Sequence, residues 1–328
     1  MKILVIGGAG YIGSNMVHLL VNSGFEVVVL DDLSCGHRDA VHNATLIVGS
    51  TEDNDLLDSI FSQHQISAVM HFASSIQVGE SVIRPDLYYV NNLSNTIILL
   101  NAMMRANVKH LIFSSTAAVY GDPHYTPIDE GHPKLPLNPY GRTKWMAEQV
   151  LQDFDRAFGL RYTSLRYFNA AGANISASLG ERHEPETHLI PLVLQAASGR
   201  RNSISVFGSD YETRDGTCVR DYIHVQDLCR AHLLALKRLC TGAPSAQYNL
   251  GNGEGFTVQE VINSAKSVTG RNIEVQYLPR REGDPATLVA DSKLAKMELG
   301  WTPQRSDLNT IIQDAWAWEL SHPWGRSS

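Results

Sequence analysis

The sequence predicts an α/β fold, a doubly wound parallel sheet followed by a smaller mixed α/β unit, on three observations. Short β-branched runs at 3–6, 27–30, 68–71, 110–114 and 161–166 alternate with longer helical patterns, notably 11–23, 87–106 and 140–158. A run of glycines closes the first strand and opens the first helix. After about Ala170 the rhythm changes to a loop rich in Gly, Glu and Pro, then to shorter elements punctuated by Gly208, Gly251, Gly253, Gly255 and Gly283. Parallel strands need a crossover, so repeated strand and helix units imply a parallel sheet covered on both faces. Such open sheets bind ligands beyond the carboxyl ends of their strands. Residues 1–170 are therefore expected to form the sheet domain and 171–328 a second domain over those strand ends, with 220–240 packing back on the first.

Composition narrows the partners. The 328 residues are 43% hydrophobic and 19% charged, an ordinary globular balance with ample material for a core. Lys and Arg total 27 against 34 Asp and Glu, a net charge of −7, which argues against a broad basic surface for nucleic acid. The apolar start at 3–6 is too short for a signal segment, and no run approaches the roughly 18 apolar residues of a membrane span. Cys35, Cys218, Cys229 and Cys240 lack a CxxC spacing, and the histidines show no ligand spacing, so no metal is expected. A reducing cytoplasm fits best.

Gly7-Gly8-Ala9-Gly10-Tyr11-Ile12-Gly13 follows an apolar strand and opens an apolar-periodic helix. Residues without Cβ at Gly7, Gly10 and Gly13 let the backbone approach a pyrophosphate. The free N–H groups and positive end of the helix, from Tyr11 and Ile12 onward, then bind it. This is a Rossmann-type signature. The second strand ends at Leu30-Asp31-Asp32, where a carboxylate, Asp31 before Asp32, can accept hydrogen bonds from a ribose. That favours NAD over NADP, whose extra phosphate it would repel.

The strand ending Ser114-Ser115-Thr116 is followed by Tyr140-Gly141-Arg142-Thr143-Lys144 at the head of a helix. Residues four apart share a helical face, so the phenol and the ammonium can converge on one ligand. Making a phenol a base at neutral pH takes roughly 4 kcal/mol. One positive charge at about 4 Å supplies about that much at an effective dielectric near 20. Oxidised nicotinamide adds a second, and a hydroxyl at the strand end would share the same sugar oxygen.

With these residues the sequence resembles the extended short-chain dehydrogenase/reductase family, more narrowly the UDP-galactose 4-epimerases, over nearly its whole length. The resemblance rests on GGAGYIG, the HFA and VGES segments within 71–81, Tyr88-Tyr89-Val90-Asn91-Asn92, the strand-end hydroxyls and Asn138-Pro139-Tyr140-Gly141-Arg142-Thr143-Lys144. It continues through Arg166-Tyr167-Phe168-Asn169, Val219-Arg220-Asp221-Tyr222-Ile223-His224-Val225 and Pro279-Arg280-Arg281-Glu282-Gly283-Asp284. It implies an NAD-binding Rossmann domain and a UDP-sugar-binding domain. Tyr140 would be the base, Lys144 the holder of the nicotinamide ribose and Thr116 the catalytic hydroxyl. Phe72, Ala73, Asn91, Ser114 and Tyr167 would line the cofactor. Asn169 and Thr187-His188-Leu189 would face the diphosphate and sugar, Ser205-Val206-Phe207 the uracil, and Arg220, Arg281 and Asp284 the diphosphate and uridine ribose. Forked arginine donors suit a diphosphate on independent grounds.

The resemblance also implies the reaction. Tyr140 takes the proton of the sugar 4-hydroxyl while the C4 hydride passes to a tightly bound, recycled NAD, and the 4-keto sugar turns and receives the hydride on its other face. Ser50 stands where the family often has an adenine-binding acid and Ile76 where it has Lys, so the adenine contact is expected from Ser50 or a neighbour, Thr51 or Asp32. Cys35 and Gly36 replace residues that are often polar. Two rival readings remain. A nucleotide-sugar 4,6-dehydratase, decarboxylase or 4-reductase shares the Tyr/Lys pair, but dehydratases usually carry Asp-Glu where Ala117-Ala118 stand. A non-catalytic NAD-sensing protein would have no need of an activated phenol. Leu288, in place of a bulky Tyr of relatives, leaves room for N-acetylated UDP-hexoses. A homodimer is expected through 87–106 and 140–158, with Leu99, Met103, Met146 and Val150 as contact or core positions.

Overall fold

The computed structural model describes residues 1–281 and 283–322. In chain order the first strands are β1 (Lys2–Ile6), β2 (Glu26–Asp31), β3 (Thr45–Val48), β4 (Ala68–His71), β5 (His110–Thr116) and β6 (Arg161–Tyr167). Between them run α1 (Tyr11–Asn22), α2 (Asn54–His64), α3 (Val78–Ile83), α4 (Pro85–Tyr88), a π-helical turn (Tyr89–Ser94), α5 (Asn95–Arg105) and α6 (Pro139–Phe158). Beyond β6 come β7 (Asn169–Ala171), α7 (Leu189–Ser198), β8 (Ile204–Phe207), β9 (Val219–Arg220), β10 (Tyr222–His224), α8 (Val225–Cys240) and β11 (Ala246–Leu250). The chain closes with β12 (Phe256–Thr257), α9 (Val258–Thr269), β13 (Val275–Leu278), β14 (Thr287–Leu288), α10 (Lys293–Leu299) and α11 (Leu308–Ser321).

Among the described residues the central sheet has seven strands, all parallel, in the order β11-β6-β5-β4-β1-β2-β3. The order reverses between β1 and β4, which creates the crevice where doubly wound sheets take a dinucleotide. Ile6 pairs with both Leu30 and His71, so these three strands end level around that crevice.

The pleat explains the two layers. Ile3 and Val5 point to one face and pack with Met16 and Leu20 of α1 and Leu228 and Leu236 of α8. Leu4 and Ile6 point to the other and pack with Ile60 of α2, Leu99 and Met103 of α5 and Leu151 of α6. Leu99 and Met103 are fully buried there and so belong to the core; of the positions named for a dimer contact, Met146 is the exposed one.

Residues after 171 feed both halves of the molecule. β11 joins the sheet beside β6, and α8 and α10 cover the face that α1 covers. Besides the expected 220–240, β11 and α10 thus also pack with the first 170 residues. The remaining elements make a second core, in which Val206 of β8 packs with Leu194 of α7, Val261 of α9 and Ile312 of α11. No described helix is long and apolar enough to cross a membrane.

The ends of α6 are set locally. Asn138 accepts from the Gly141 N–H at 2.9 Å, Pro139 opens the first turn, and Gly159 ends the helix at φ +69°. The π-helical turn ties down the loop after β4: Asn92 accepts from Ser75 N at 2.8 Å and donates to Ser75 O at 3.0 Å.

Candidate active site

The glycine-rich turn is a cradle that side chains would fill. A Cβ on Gly7, which sits at φ +76°, would lie 2.5 Å from Ala73 N, and one on Gly13 would lie 2.0 Å from Gly7 O. At Gly10, the N-cap of α1, a Cβ would meet only Gly7 O at 3.6 Å, so this residue opens outward. No side chain caps α1 and its first turn holds no acid, which leaves the Tyr11, Ile12 and Gly13 N–H groups for an anion. Ile12 packs against the core and the Tyr11 hydroxyl donates to Gly172 O at 2.7 Å, fastening the turn to the second half of the chain. These features fit a dinucleotide pyrophosphate.

Asp31 ends β2 beside this turn. Its carboxylate accepts from Ala9 N at 2.8 Å and Leu33 N at 2.9 Å, and a Cβ on Gly36 would lie 2.7 Å from it. Gly36, in place of a polar residue, thus makes room for Asp31. Burial raises the Asp31 carboxyl above its ordinary range and the two N–H groups oppose it. Asp32 is exposed and caps its own turn through Ser34 N at 2.9 Å. Beyond β3, Ser50 is half-buried and accepts from Glu52 N at 3.2 Å, and Thr51 is buried. Gly49 N donates to Asp31 O at 3.1 Å, so this segment and Asp31 form one rim. On the opposite side of Gly7 the Phe72 and Ala73 N–H groups donate to Ile6 O, and Asn91 donates to Ser75 Oγ at 2.9 Å.

The end of β5 carries the chemistry-bearing hydroxyls. Lys144 Nζ donates to Ser114 O at 3.0 Å, and Ser114 Oγ makes a short hydrogen bond with the Tyr167 hydroxyl. A Cβ on Gly141 would lie 2.4 Å from Ala118 O, so this glycine lets the head of α6 close on the segment after Thr116. Burial raises the Tyr140 phenol, and the Thr116 hydroxyl beside it acts in the opposite direction. Lys144 is pushed down to about 7 by burial, against the pull of Glu148. The Lys144 ammonium is turned to the Ser114 carbonyl, and burial is the largest influence on both groups.

One turn beyond Lys144, Glu148 anchors α6 to the sheet. It accepts from Arg166 at 3.0 and 2.5 Å and from Ser115 Oγ at 2.5 Å, with both charged side chains buried. Arg166 also donates to the Tyr120 hydroxyl at 3.0 Å, which donates to Asn249 Oδ1 at 2.6 Å. Glu148 and Asn249 were invisible as site residues because their partners lie far away in sequence. Asp221 is another such acid. Fully buried, it accepts from the N–H groups of Asn252, Gly253 and Ala290 at 2.8, 3.1 and 3.1 Å, and burial nonetheless pushes it up to about 6.

The residues expected to hold a UDP-sugar lie on the second half of the chain. Ser205 and Phe207 share the outer face of β8 while Ile204 and Val206 face the core. The Arg281 guanidinium stacks over the Phe207 ring, 3.8 Å from its centroid. Arg220 is already paired with Asp284 by a short charge-assisted contact and donates to Val219 O at 2.8 Å. Glu282, between Arg281 and Asp284, lies outside the described residues. Asn169 donates to Asp221 O at 2.9 Å. Leu288 lines up with Arg220 in the β14 and β9 pairing and packs in a small cluster with Val119, Tyr120 and Ile128.

His188 is held differently. Its Nδ1 lies 2.8 Å from Glu181 and 3.0 Å from Glu186, while Glu186 also takes the Thr187 and His188 N–H groups at 2.7 and 2.9 Å. Leu189, half-buried, begins α7 directly after it. Burial opposes the charge of both His183 and His188, yet the two carboxylates outweigh it, raising His188 well above its ordinary value and His183 to about 9. Ligand atoms of Glu181, His183, Glu186 and His188 all lie within 4.8 Å of one another. In the sequence these four residues follow the alternation Glu-x-His-x-x-Glu-x-His.

Residues 3–251 match the NAD dependent epimerase/dehydratase family. The chain belongs to that family. Among its relatives, the UDP-glucose 4-epimerase of Halalkalibacterium halodurans is 50% identical over 328 residues, covering 100% of this chain and 98% of that one. The crystal structure of the UDP-glucose 4-epimerase of Brucella ovis in complex with NAD superposes with a TM-score of 0.94 at 48% identity, covering 96% of this chain and 97% of that one. The Bifidobacterium longum UDP-glucose 4-epimerase in complex with NAD+ and UDP gives 0.94 at 37% identity, covering 99% and 100%. Membership of that family makes NAD the cofactor of this chain.

Proposed function

We infer that the protein interconverts UDP-glucose and UDP-galactose by NAD-dependent epimerisation at C4, through a transient 4-keto sugar. The observation that carries this reading is the convergence of Thr116, Tyr140 and Lys144 at the β5 end, with Ala117-Ala118 rather than an acid pair following them.

NAD, when bound, supplies the acceptor and donor of the C4 hydride and a positively charged ring beside the phenol. The chain's own residues do the rest. Tyr140 takes the proton from the sugar O4 and gives it back when the ketone is reduced, so no proton is gained or lost over the cycle. Thr116 bonds the same oxygen and favours the ionised phenol. Lys144, anchored on Ser114 O, has donors left for the nicotinamide ribose. Arg281 over Phe207, Ser205, and the Arg220 and Asp284 pair hold the nucleotide end. His188, Leu189 and Asn169 border the sugar, which is otherwise free to turn about its bonds to the diphosphate. On the adenosine side Asp31 takes the ribose, and Ser50, Thr51 and Asp32 border the adenine.

Dehydration of the sugar would need an acid and a base at positions where two alanines stand, and a non-catalytic sensor has no use for the Tyr140, Lys144 and Thr116 set. Leu288 extends the reading to N-acetylated UDP-hexoses. Purified protein, with no dinucleotide added, is expected to turn UDP-galactose into UDP-glucose and also to turn over UDP-N-acetylgalactosamine. Failure with both sugars sinks the epimerase reading, and failure with the second alone removes only the role of Leu288.

The protein is proposed to act as a homodimer. Val82 and Ile83 of α3 are 64% and 79% exposed, next to exposed Leu87 and Val90 and to Met146 on α6, an apolar face a second copy would cover. Sedimentation velocity at micromolar concentration should give a dimer, and Ile83→Glu a monomer; a wild-type monomer contradicts the assignment. Four free thiols, Cys35, Cys218, Cys229 and Cys240, fit a reducing cytoplasm.

A further inference from the structure

We propose that Glu181, His183, Glu186 and His188 bind one tetrahedral divalent metal ion of the zinc class, at a site separate from the hydride and proton chemistry. The four residues lie on one short loop between β7 and α7. Their distances suit a common ligand. His183 Nδ1 lies 3.3 Å from Glu181 Oε1 and 3.6 Å from Glu186 Oε2, and His188 Nδ1 lies 2.8 and 3.0 Å from the same two carboxylates. A tetrahedron with metal to ligand bonds of about 2.0 Å has edges of about 3.3 Å, the middle of this spread. Two imidazole nitrogens and two carboxylate oxygens, with no thiolate, select zinc and its first-row neighbours over copper(I) or calcium.

Two further observations point to a bound cation. His183 Nδ1 is sealed from solvent and makes no well-formed hydrogen bond, although both carboxylates are near it. The Glu181 and Glu186 side chains are only 6% and 5% exposed, and two carboxylates so buried and so close must be matched by positive charge, which a divalent ion supplies when it takes the place of the protons on the two imidazoles. The loop is also held by contacts of its own that do not involve the four ligand atoms. Asn174 Oδ1 accepts from Ser178 N at 2.8 Å and Leu179 N at 3.1 Å, Trp318 packs where a Cβ on Gly180 would stand, and its Nε1 donates to Glu181 O at 3.0 Å. A loop so held spends little of its binding free energy on ordering. The ion would staple this segment to the N-terminus of α7 and steady His188 and Leu189 without entering the reaction.

The test is a titration of chelator-treated full-length protein with Co2+, followed by displacement with Zn2+. One equivalent per chain is expected, with the visible band of a four-coordinate nitrogen and oxygen site and no thiolate charge-transfer band, which excludes the cysteines. Zn2+ should displace it and raise the melting temperature. His183→Ala and Glu186→Gln should each weaken binding at least about 100-fold, since losing mere outer-shell support of a metal ligand already costs 10–100-fold. Circular dichroism of the metal-free variants checks that they fold. No saturable uptake by the wild type at micromolar metal, a thiolate band, or uptake unchanged in both folded variants overturns the proposal.

Discussion

Tyr140→Phe should lower the turnover of UDP-galactose by about 10³-fold while leaving KM within a fewfold and the melting temperature nearly unchanged. The substitution removes one oxygen. The ring stays and keeps its edge contact with Tyr88, whose centroid is 6.5 Å away, so the head of α6 keeps its packing. What is lost is the group that takes the O4 proton, worth about 4 kcal/mol of barrier for a thousandfold change. Because burial raises this phenol, its activity as a base depends on positive charge brought to it. Steady-state kinetics on the refolded and native variant measure the effect; near wild-type turnover would remove Tyr140 from the mechanism.

The second large effect is structural. Glu148→Ala strands the Arg166 guanidinium, 3% exposed, without its counter-charge. Breaking a buried pair from one side costs about 3–5 kcal/mol, and urea unfolding should show a loss of that size. Replacing both residues together, Glu148→Leu with Arg166→Met, should recover most of it, because two apolar groups leave no unpaired charge. The single variant should also lose activity beyond its loss of stability, since Glu148 is the charge that supports the Lys144 ammonium one turn earlier on α6. A single variant as stable as wild type would show that this pair does not lock α6 to the sheet.

Much of the sheet was legible because its strands are buried on both faces and read as apolar runs between helical patterns. β3 escaped: it is an edge strand with exposed and half-buried positions only, so Thr45–Val48 carries neither alternation nor an unbroken buried run. β11 escaped because it pairs with β6 across some 80 residues, a distance no local pattern spans. The glycine turn and the Tyr140 and Lys144 spacing were legible since each concentrates its function within a few residues. Leu99 and Met103 fit a dimer face or a core equally well by periodicity, and only the position of β1 beneath them decides for the core. The Glu148, Arg166 and Asp221 networks, and the convergence of Glu181 with His188, depend on how distant or looped segments fold back, which residue spacing alone does not carry.

The most direct test of the central account follows the hydrogen at C4. With UDP-galactose deuterated at C4, in ordinary water and without added dinucleotide, the UDP-glucose formed should retain the deuterium at C4 in full, because the hydride leaves and returns within one closed site while Tyr140 handles only the O4 proton. Loss of the label to solvent, or an absolute need for added NAD in every turnover, would contradict it.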